Sequence, residues 1–333
     1  MQPSIENPIG TIAQLHQSAP PHSIHDIDGK SENGRVCSVG SLDRTATIPL
    51  SLSKAKRQID LTSEIRLLTR NAVTKAKQVV DNPDEPADPE GGGGFADWAM
   101  LTLQALRVEF GKSYRQTIDL LSEMPAILDE IGLTRLPHFT VLRDWFEKIP
   151  MATYRAFLGE SAEKRTGHAA IDSTGFDRDQ PSRHYATRAH YRVRSLKVTA
   201  LVDVKTLYVF NVHCTTTKKH DAKIGPQVAR RNAADLRSLA ADRGYDGKPF
   251  RDELRAEGIR PVIKPRIYSS LDRAHNARLS GRWYNRRWMV ETVFSSIKRT
   301  LGCAVRARSW YLEFREMVLK CAVYNLRRTG RNP

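Results

Sequence analysis

The spacing of apolar positions changes character along the chain. From residue 54 to 80, Ile59, Ile65, Leu68, Val73 and Val79 recur among basic residues and predict a helical segment. Residues 81–94, DNPDEPADPEGGGG, hold three prolines, five acids and four glycines. Such a composition supports neither helix nor strand and reads as a linker. It lacks the Gly-Lys-Ser/Thr ending of a phosphate-binding loop. Residues 1–53 are rich in Ser, Pro, His and Asp without a sustained period, and read as a disordered tail. Residues 95–165 predict several short helices. Ser113 and Gln116 form a capping-box pattern, Pro125, Gly132 and Pro137 punctuate the run, and Phe139, Leu142, Trp145 or Phe146, and Ile149 make an apolar stripe. Two readings fit that region: a helix-turn-helix DNA reader, or a small bundle packed on the next domain.

At Gly167 the period shortens. HAAIDSTGF predicts a strand ending in Asp172. RSLKVTALVDV and TLYVFNVHCTTT predict a hairpin around Lys205-Thr206, and DAKIGPQVARRNA a helix interrupted early by Pro226. LRSLAADRGYD predicts a strand whose apolar part stops at Asp242. A helix ending at Gly258 and the strand IRPVIKP follow, then long helices from Gly281 to about Arg299 and from about Leu312 to Leu326. The order β-β-β-α-β-α-β-α implies an α/β fold: a mixed sheet with flanking helices, preceded by a small all-helical domain. The domains expected are 1–53 tail, 54–80 helical segment, 81–94 linker, 95–165 helical domain and 166–333 sheet domain.

Charge narrows the partner. The 333 residues carry a formal net charge of +16, which points to a polyanion such as nucleic acid. From residue 281 to 333, twelve Arg or Lys face three Glu, suited to phosphate contacts. No apolar run approaches a membrane span and no secretory signal is visible, so a cytoplasmic protein with no membrane partner is expected. The four cysteines are far apart in sequence and suggest neither a zinc site nor a disulfide framework.

The candidate chemistry lies in three acids. In YNRRWMVETVFSSIKR, Tyr284, Arg287, Glu291 and Lys298 project within a stripe of about 60° on an ideal helix. Surface ion pairing would account for Glu291 taken alone. Asp172 and Asp242, each directly after an apolar strand, change that balance, since strand ends in α/β folds collect ligands. Three carboxylates repel one another unless divalent cations neutralise them, and hard ions such as Mg²⁺ take oxygen ligands. The absence of HExxH and GxSxG motifs argues against zinc hydrolysis and serine acyl transfer. His220-Asp221 opens a helix, where Asp221 suits the dipole. Asp177, Asp179, Asp203 and Asp246 are read as solvated loop acids, and Trp283, Trp288 and Trp310 as core residues rather than base-stacking platforms.

IDSTGF, ADRGYD and the Y-x2-R-x3-E-x6-K spacing of Tyr284, Arg287, Glu291 and Lys298 together resemble the DDE transposases of bacterial and archaeal insertion sequences. The resemblance spans about residues 167–328. It implies a ribonuclease H-like catalytic domain, with Asp172, Asp242 and Glu291 as catalytic residues and ligands of two Mg²⁺ (or Mn²⁺) ions. Arg287 and Lys298 would hold phosphates of the element end, and Tyr284 the DNA backbone near the cut. It further implies that the helical domain binds double-stranded element ends, that target DNA is the second substrate, and that a homodimer acts on the nucleoid. Only 48 residues separate Asp242 from Glu291, which leaves no room for the β-rich insertion of some relatives. Two rivals stand beside this expectation: a DNA-binding relic without catalysis, and a metal-dependent nuclease without strand transfer.

Overall fold

The computed structural model describes residues 63–88, 90, 94–178, 183–188, 190, 194–217 and 219–329. The expected tail and the start of the 54–80 segment lie outside the described residues. Six helices come first: α1 (Glu64–Lys77), α2 (Asp97–Phe110), α3 (Tyr114–Ser122), α4 (Pro125–Ile131), α5 (Phe139–Lys148) and α6 (Met151–Ser161). Ser63 caps α1, and the Ser113–Gln116 capping box forms at α3 as the sequence suggests. Helix α2 is buried along every residue from Trp98 to Val108. A helix buried all round is enclosed by other elements. Here α1, α3, α5 and the C-terminal helix α13 (Trp310–Thr329) surround it.

The proline- and glycine-rich stretch before α2 is tied down at Glu85, Ala87 and Asp88. The Trp98 indole donates to the Glu85 carbonyl (3.0 Å), and the Ala96 amide to that of Ala87 (3.0 Å). The Asp88 carboxylate accepts from the amides of Thr134 (2.9 Å) and Arg135 (3.0 Å). Its acids serve as local acceptors, a use that composition does not reveal.

The sheet contains β1 (His168–Asp177), β2 (Ser195–Asp203), β3 (Val209–Thr215), β4 (Ser238–Ala241) and β5 (Arg260–Ile263), in the order β3-β2-β1-β4-β5. The pairs β1–β2 and β2–β3 are antiparallel; β1–β4 and β4–β5 are parallel. Helix α7 (Arg183–Arg188) lies between β1 and β2 in sequence. The turn joining β2 to β3 is built on Asp203, whose carboxylate accepts from the amides of Thr166, Lys205 and Thr206. Asp203 is 1% exposed, so it is a buried turn-former and not a solvated loop acid. Asp246 likewise is held in an ion pair with Arg251.

Strand alternation assigns the two sheet faces. Ala170, Phe176, Val198, Ala200 and Val202 share one core with Val290, Val293, Phe294 and Ile297 of α12 (Met289–Leu301) and with α13. Ala169, Ile171, Leu201, Leu239 and Ala241 pack in a second core with Ile224 and Val228 of α8 (Asp221–Arg230) and with Phe250 and Leu254 of α9 (Lys248–Ala256). Helix α8 runs through Pro226 rather than being interrupted there. The expected long helix from Gly281 is broken: α10 (Ser270–Arg278) and α11 (Gly281–Asn285) precede a 3₁₀ turn at Arg286–Trp288, and only then does α12 start. The N-terminal helices and the first sheet face contribute to a single hydrophobic cluster, from Leu68 to Leu326.

Asn325 of α13 closes the free edge of the sheet. Its Oδ1 accepts from the Val209 amide (2.9 Å), and its Nδ2 donates to the Val209 carbonyl (2.6 Å) and to Ser161 Oγ (3.0 Å). Asn325→Ala leaves both buried backbone groups unpaired. It is expected to cost about 3 kcal/mol, read as a lower midpoint in chemical denaturation. An unchanged midpoint would show that the edge is satisfied otherwise.

Candidate active site

The first two acids are placed by the sheet itself. The parallel β1–β4 ladder ends at Ile171↔Ala241. Asp172 and Asp242 are the next residues on each chain and therefore lie side by side past its end. Strand β1 does not stop at Asp172, as its sequence suggests, because antiparallel β2 keeps pairing with it and holds Asp172 opposite Ala200. Alternation turns Asp172, Thr174 and Phe176 toward α12, and Ser173 toward α8. Asp242 caps the short 3₁₀ turn Arg243–Tyr245, accepting from the Gly244 amide (2.8 Å). A Cβ on residue 244 would sit 2.9 Å from that carboxylate oxygen, so glycine is what lets the cap form.

The third acid comes from the first turn of α12. Asp172, Thr174, Glu291, Phe294, Ser295, Lys298 and Arg299 line a cleft of about 520 Å³ between β1 and α12. Lys298 Nζ reaches in and donates to Thr174 Oγ1 (2.8 Å), while resting 5.1 Å from the centre of the Phe176 ring. The Glu291 side chain is 63% exposed and pairs with Arg287 at 3.7 Å. That long, wet contact contributes little and leaves the carboxylate free to swing.

Burial pushes the Asp172 carboxyl up to about 6, and the negative charges of Asp242, Glu291 and Asp221 add to the rise. The hydrogen bond from the Ser173 amide opposes it (2.8 Å). The charges of the other two expected acids thus reach Asp172. Asp172 and Glu291 share the cleft; Asp242 stands at its sheet end without lining it. Among the described residues, no group of three His, Cys, Asp or Glu side chains converges closely enough to hold a metal ion.

The basic and aromatic residues of the motif divide between two settings. Lys298 is in the cleft. Tyr284 is buried, with Lys264 Nζ 4.4 Å and the Arg287 guanidinium 5.1 Å from its ring centre. The 3₁₀ turn between α11 and α12 removes the ideal-helix relation that would put Tyr284 and Glu291 on one stripe. Arg287 Nε is enclosed without a hydrogen-bond partner among the described residues. Of the tryptophans, Trp283 stacks on His168 at 4.6 Å, whereas Trp288 and Trp310 are exposed rather than in the core.

A polar network beneath Asp172 was not foreseen from the sequence. Ser173 Oγ contacts Asp221 Oδ1 (2.6 Å), Thr199 Oγ1 (2.7 Å) and the Tyr245 hydroxyl (2.9 Å). Lys197 Nζ pairs with Asp221 at 2.8 Å. Burial opposes the charge on Asp221, but the bonds from Lys197 and Ser173 outweigh it and keep the carboxyl below its ordinary range. A Cβ at Gly225 would meet the Tyr245 ring at 2.7 Å; this glycine lets α8 approach and bring Asp221 in. The only signals were the His220-Asp221 helix start and a tyrosine three residues after Asp242.

The fold and site define an α/β protein with a charged cleft beside a mixed sheet, lined by Asp172, Glu291, Lys298 and Arg299. Residues 163–326 match the family model described as the transposase DDE domain, a stretch that contains all six motif residues. The match supports a DDE transposase. Among solved structures, the chain is similar to the piggyBac transposase in a synaptic complex with hairpin DNA. The identity is 10%, the TM-score 0.42, and the overlap 80% of this chain and 74% of that one. A likeness that slight bears on neither fold nor function.

Asp172 has a pH signature. Between its ordinary value of 3.8 and about 6, the folded chain keeps a proton that the unfolded chain has released. The resulting stability is full below pH 4 and is lost as pH rises through about 6. In metal-free buffer, Asp172→Asn is expected to be more stable than the wild type above pH 6, by on the order of 2 kcal/mol. Denaturation midpoints across pH 4–8 measure this. Parallel profiles for the two proteins would contradict it.

Proposed function

We propose that the chain is a transposase that binds the ends of an insertion sequence and performs metal-dependent DNA cleavage and strand transfer. The observation that supports this is geometric: Asp172 and Asp242 directly follow the last pair of the β1–β4 ladder, and Glu291 of α12 lines the same cleft as Asp172. The antiparallel β1–β2–β3 meander followed by parallel β4 and β5 supports a ribonuclease H-like reading of the catalytic domain. The net charge of +16 supports a DNA partner, with element ends bound by the helical domain of residues 95–165.

The donor set fits hard divalent cations: all three residues offer carboxylate oxygens, and the Asp172 carboxyl is raised by burial first and then by the neighbouring negative charges. Asp172, Asp242 and Glu291 would hold two Mg²⁺ or Mn²⁺ ions. When bound, such a pair supplies an activated water and neutralises a leaving oxygen. Glu291, exposed and loosely paired, is the ligand with freedom to close. Lys298 and Arg299, on the cleft wall, would hold the phosphate oxygens of the cut strand. Arg287 would contact the backbone beside it, with the buried Tyr284 ring supporting its guanidinium from behind.

Two in-line displacements follow. Water forms a new P–O bond, and the 3′-oxygen of the element end leaves and takes up a proton. That 3′-hydroxyl then loses its proton and bonds to a target phosphorus, displacing the target's own 3′-oxygen. One phosphodiester replaces another, so no external energy source is required. Two ends must be handled together, which a homodimer on DNA would do.

The test uses DNA carrying the gene's own flanks, Mg²⁺ or Mn²⁺, the wild type and Glu291→Gln. The wild type is expected to cut and join only with metal. The variant should bind with unchanged affinity and lose activity by roughly 10³-fold or more. Equal cutting by both proteins would refute the assignment of Glu291. Cutting without joining would make the protein a nuclease, and binding alone a DNA-binding relic.

A further inference from the structure

Away from the Asp172 cleft in sequence, Arg107 carries a buried positive charge without an opposite among the described residues. Arg107 of α2 is 5% exposed, and among the described residues it forms no ion pair. The other buried charges nearby are matched: Lys320 with Glu316 at 3.7 Å, and Arg178 with Glu313 at 2.8 Å. Glu316 also accepts from the amides of Arg306 (2.9 Å) and Ala307 (2.9 Å). Guanidinium stays charged at any physiological pH, and burying it without a counter-charge is costly.

The side chain is nevertheless held firmly. Its Nε donates to Gln104 Oε1 (2.9 Å), and Gln104 is anchored in turn on the Leu142 carbonyl (2.7 Å). Its guanidinium carbon lies 4.5 Å from the centre of the Tyr114 ring and 5.3 Å from that of Phe146. The two terminal nitrogens make no hydrogen bond among the described residues, nor are they sealed off; they open into a cleft of about 390 Å³. Arg143, Arg306 and Arg308 stand around that cleft. Its two acids, Glu147 and Glu316, are fewer than the arginines, and Glu316 is already satisfied.

We infer that this cleft, between the N-terminal helices and the segment joining α12 to α13, is a second phosphate site that grips a phosphodiester of bound DNA away from the reacting bond. Arg107 offers two parallel donors to one phosphate, a geometry suited to phosphate oxygens. Tyr114 and Phe146 keep water from the back of the guanidinium, and Arg306 and Arg308 extend the positive surface toward neighbouring phosphates. The site therefore ties the grip of the helical part to the position of α12, which carries Glu291. This rests on the proposal that the chain handles DNA, but the site itself can be probed without any DNA reaction.

Two measurements test it on the full chain. The first compares melting in inorganic phosphate and in chloride at matched ionic strength, for the wild type, Arg107→Gln and Arg107→Lys. Phosphate is expected to raise the Tm of the wild type, to do so less for Arg107→Lys, and to lose this part of the effect in Arg107→Gln. The second measures the salt dependence of duplex DNA binding. Arg107→Gln should lower the slope of log affinity against log salt by about 0.9, the value of one phosphate contact. Arg306→Ala/Arg308→Ala, altered only at exposed positions, should lower it too, which keeps the test decisive if Arg107→Gln does not fold. A phosphate effect without any change in slope would overturn the DNA assignment and leave a site for a free phosphate ester. Identical phosphate responses in wild type and variants, with unchanged slopes, would overturn the site altogether. Loss of strand transfer with both effects intact would count against the proposed activity alone.

Discussion

The end of the β1–β4 ladder at Ile171↔Ala241 is the constraint on which the site depends. Backbone pairing fixes two carboxylates as neighbours before any side chain is considered. Their like charges then make the arrangement costly: burial and repulsion hold Asp172 near a carboxyl value of about 6. A cation at this place would relieve that cost, whereas a bare site carries it. The same logic explains why Asp242 is locked as a turn cap and Glu291 is left loose. Two acids are thus anchored by the sheet end, and one is left exposed on α12.

The cores on the two sheet faces serve different ends. Toward α12 and α13, the sheet merges with the N-terminal helices in one cluster, so movement of α2 or α5 bears on the helix that carries Glu291. Toward α8 and α9, a smaller core supports Tyr245 and Asp221, which hold Ser173 from behind. Asp172 is thus flanked by a packed wall on one side and a saturated hydrogen-bond network on the other. Buried polar groups in full contact with one another favour one conformation over many.

Much of this could be read in the sequence because it follows from local rules. The Ser113 cap, the strand character of β1 and β2 and the stop of β4 before Asp242 all depend on near neighbours. What could not be read depends on partners distant in the chain. Asp172 lies within a strand and not at its end, because β2 continues where β4 stops. Asp203 is buried because Thr166 and the turn amides converge on it. The 3₁₀ turn at Arg286–Trp288 breaks the uniform helical stripe that spacing predicted. Asp221 gave only the signature of a helix start, although it is the centre of the network under the site.

The central claim is that Asp172, Asp242 and Glu291 form one cation site whose members are separate until a cation draws them together. Mn²⁺ binding to the full chain, followed by electron paramagnetic resonance with duplex end DNA present, tests it most directly. Two ions per chain are predicted for the wild type, and at most one for Asp172→Asn or Asp242→Asn. Equal Mn²⁺ stoichiometry in the wild type and both variants would contradict the claim, because the acids that the sheet brings together would not be the ones that hold the metal.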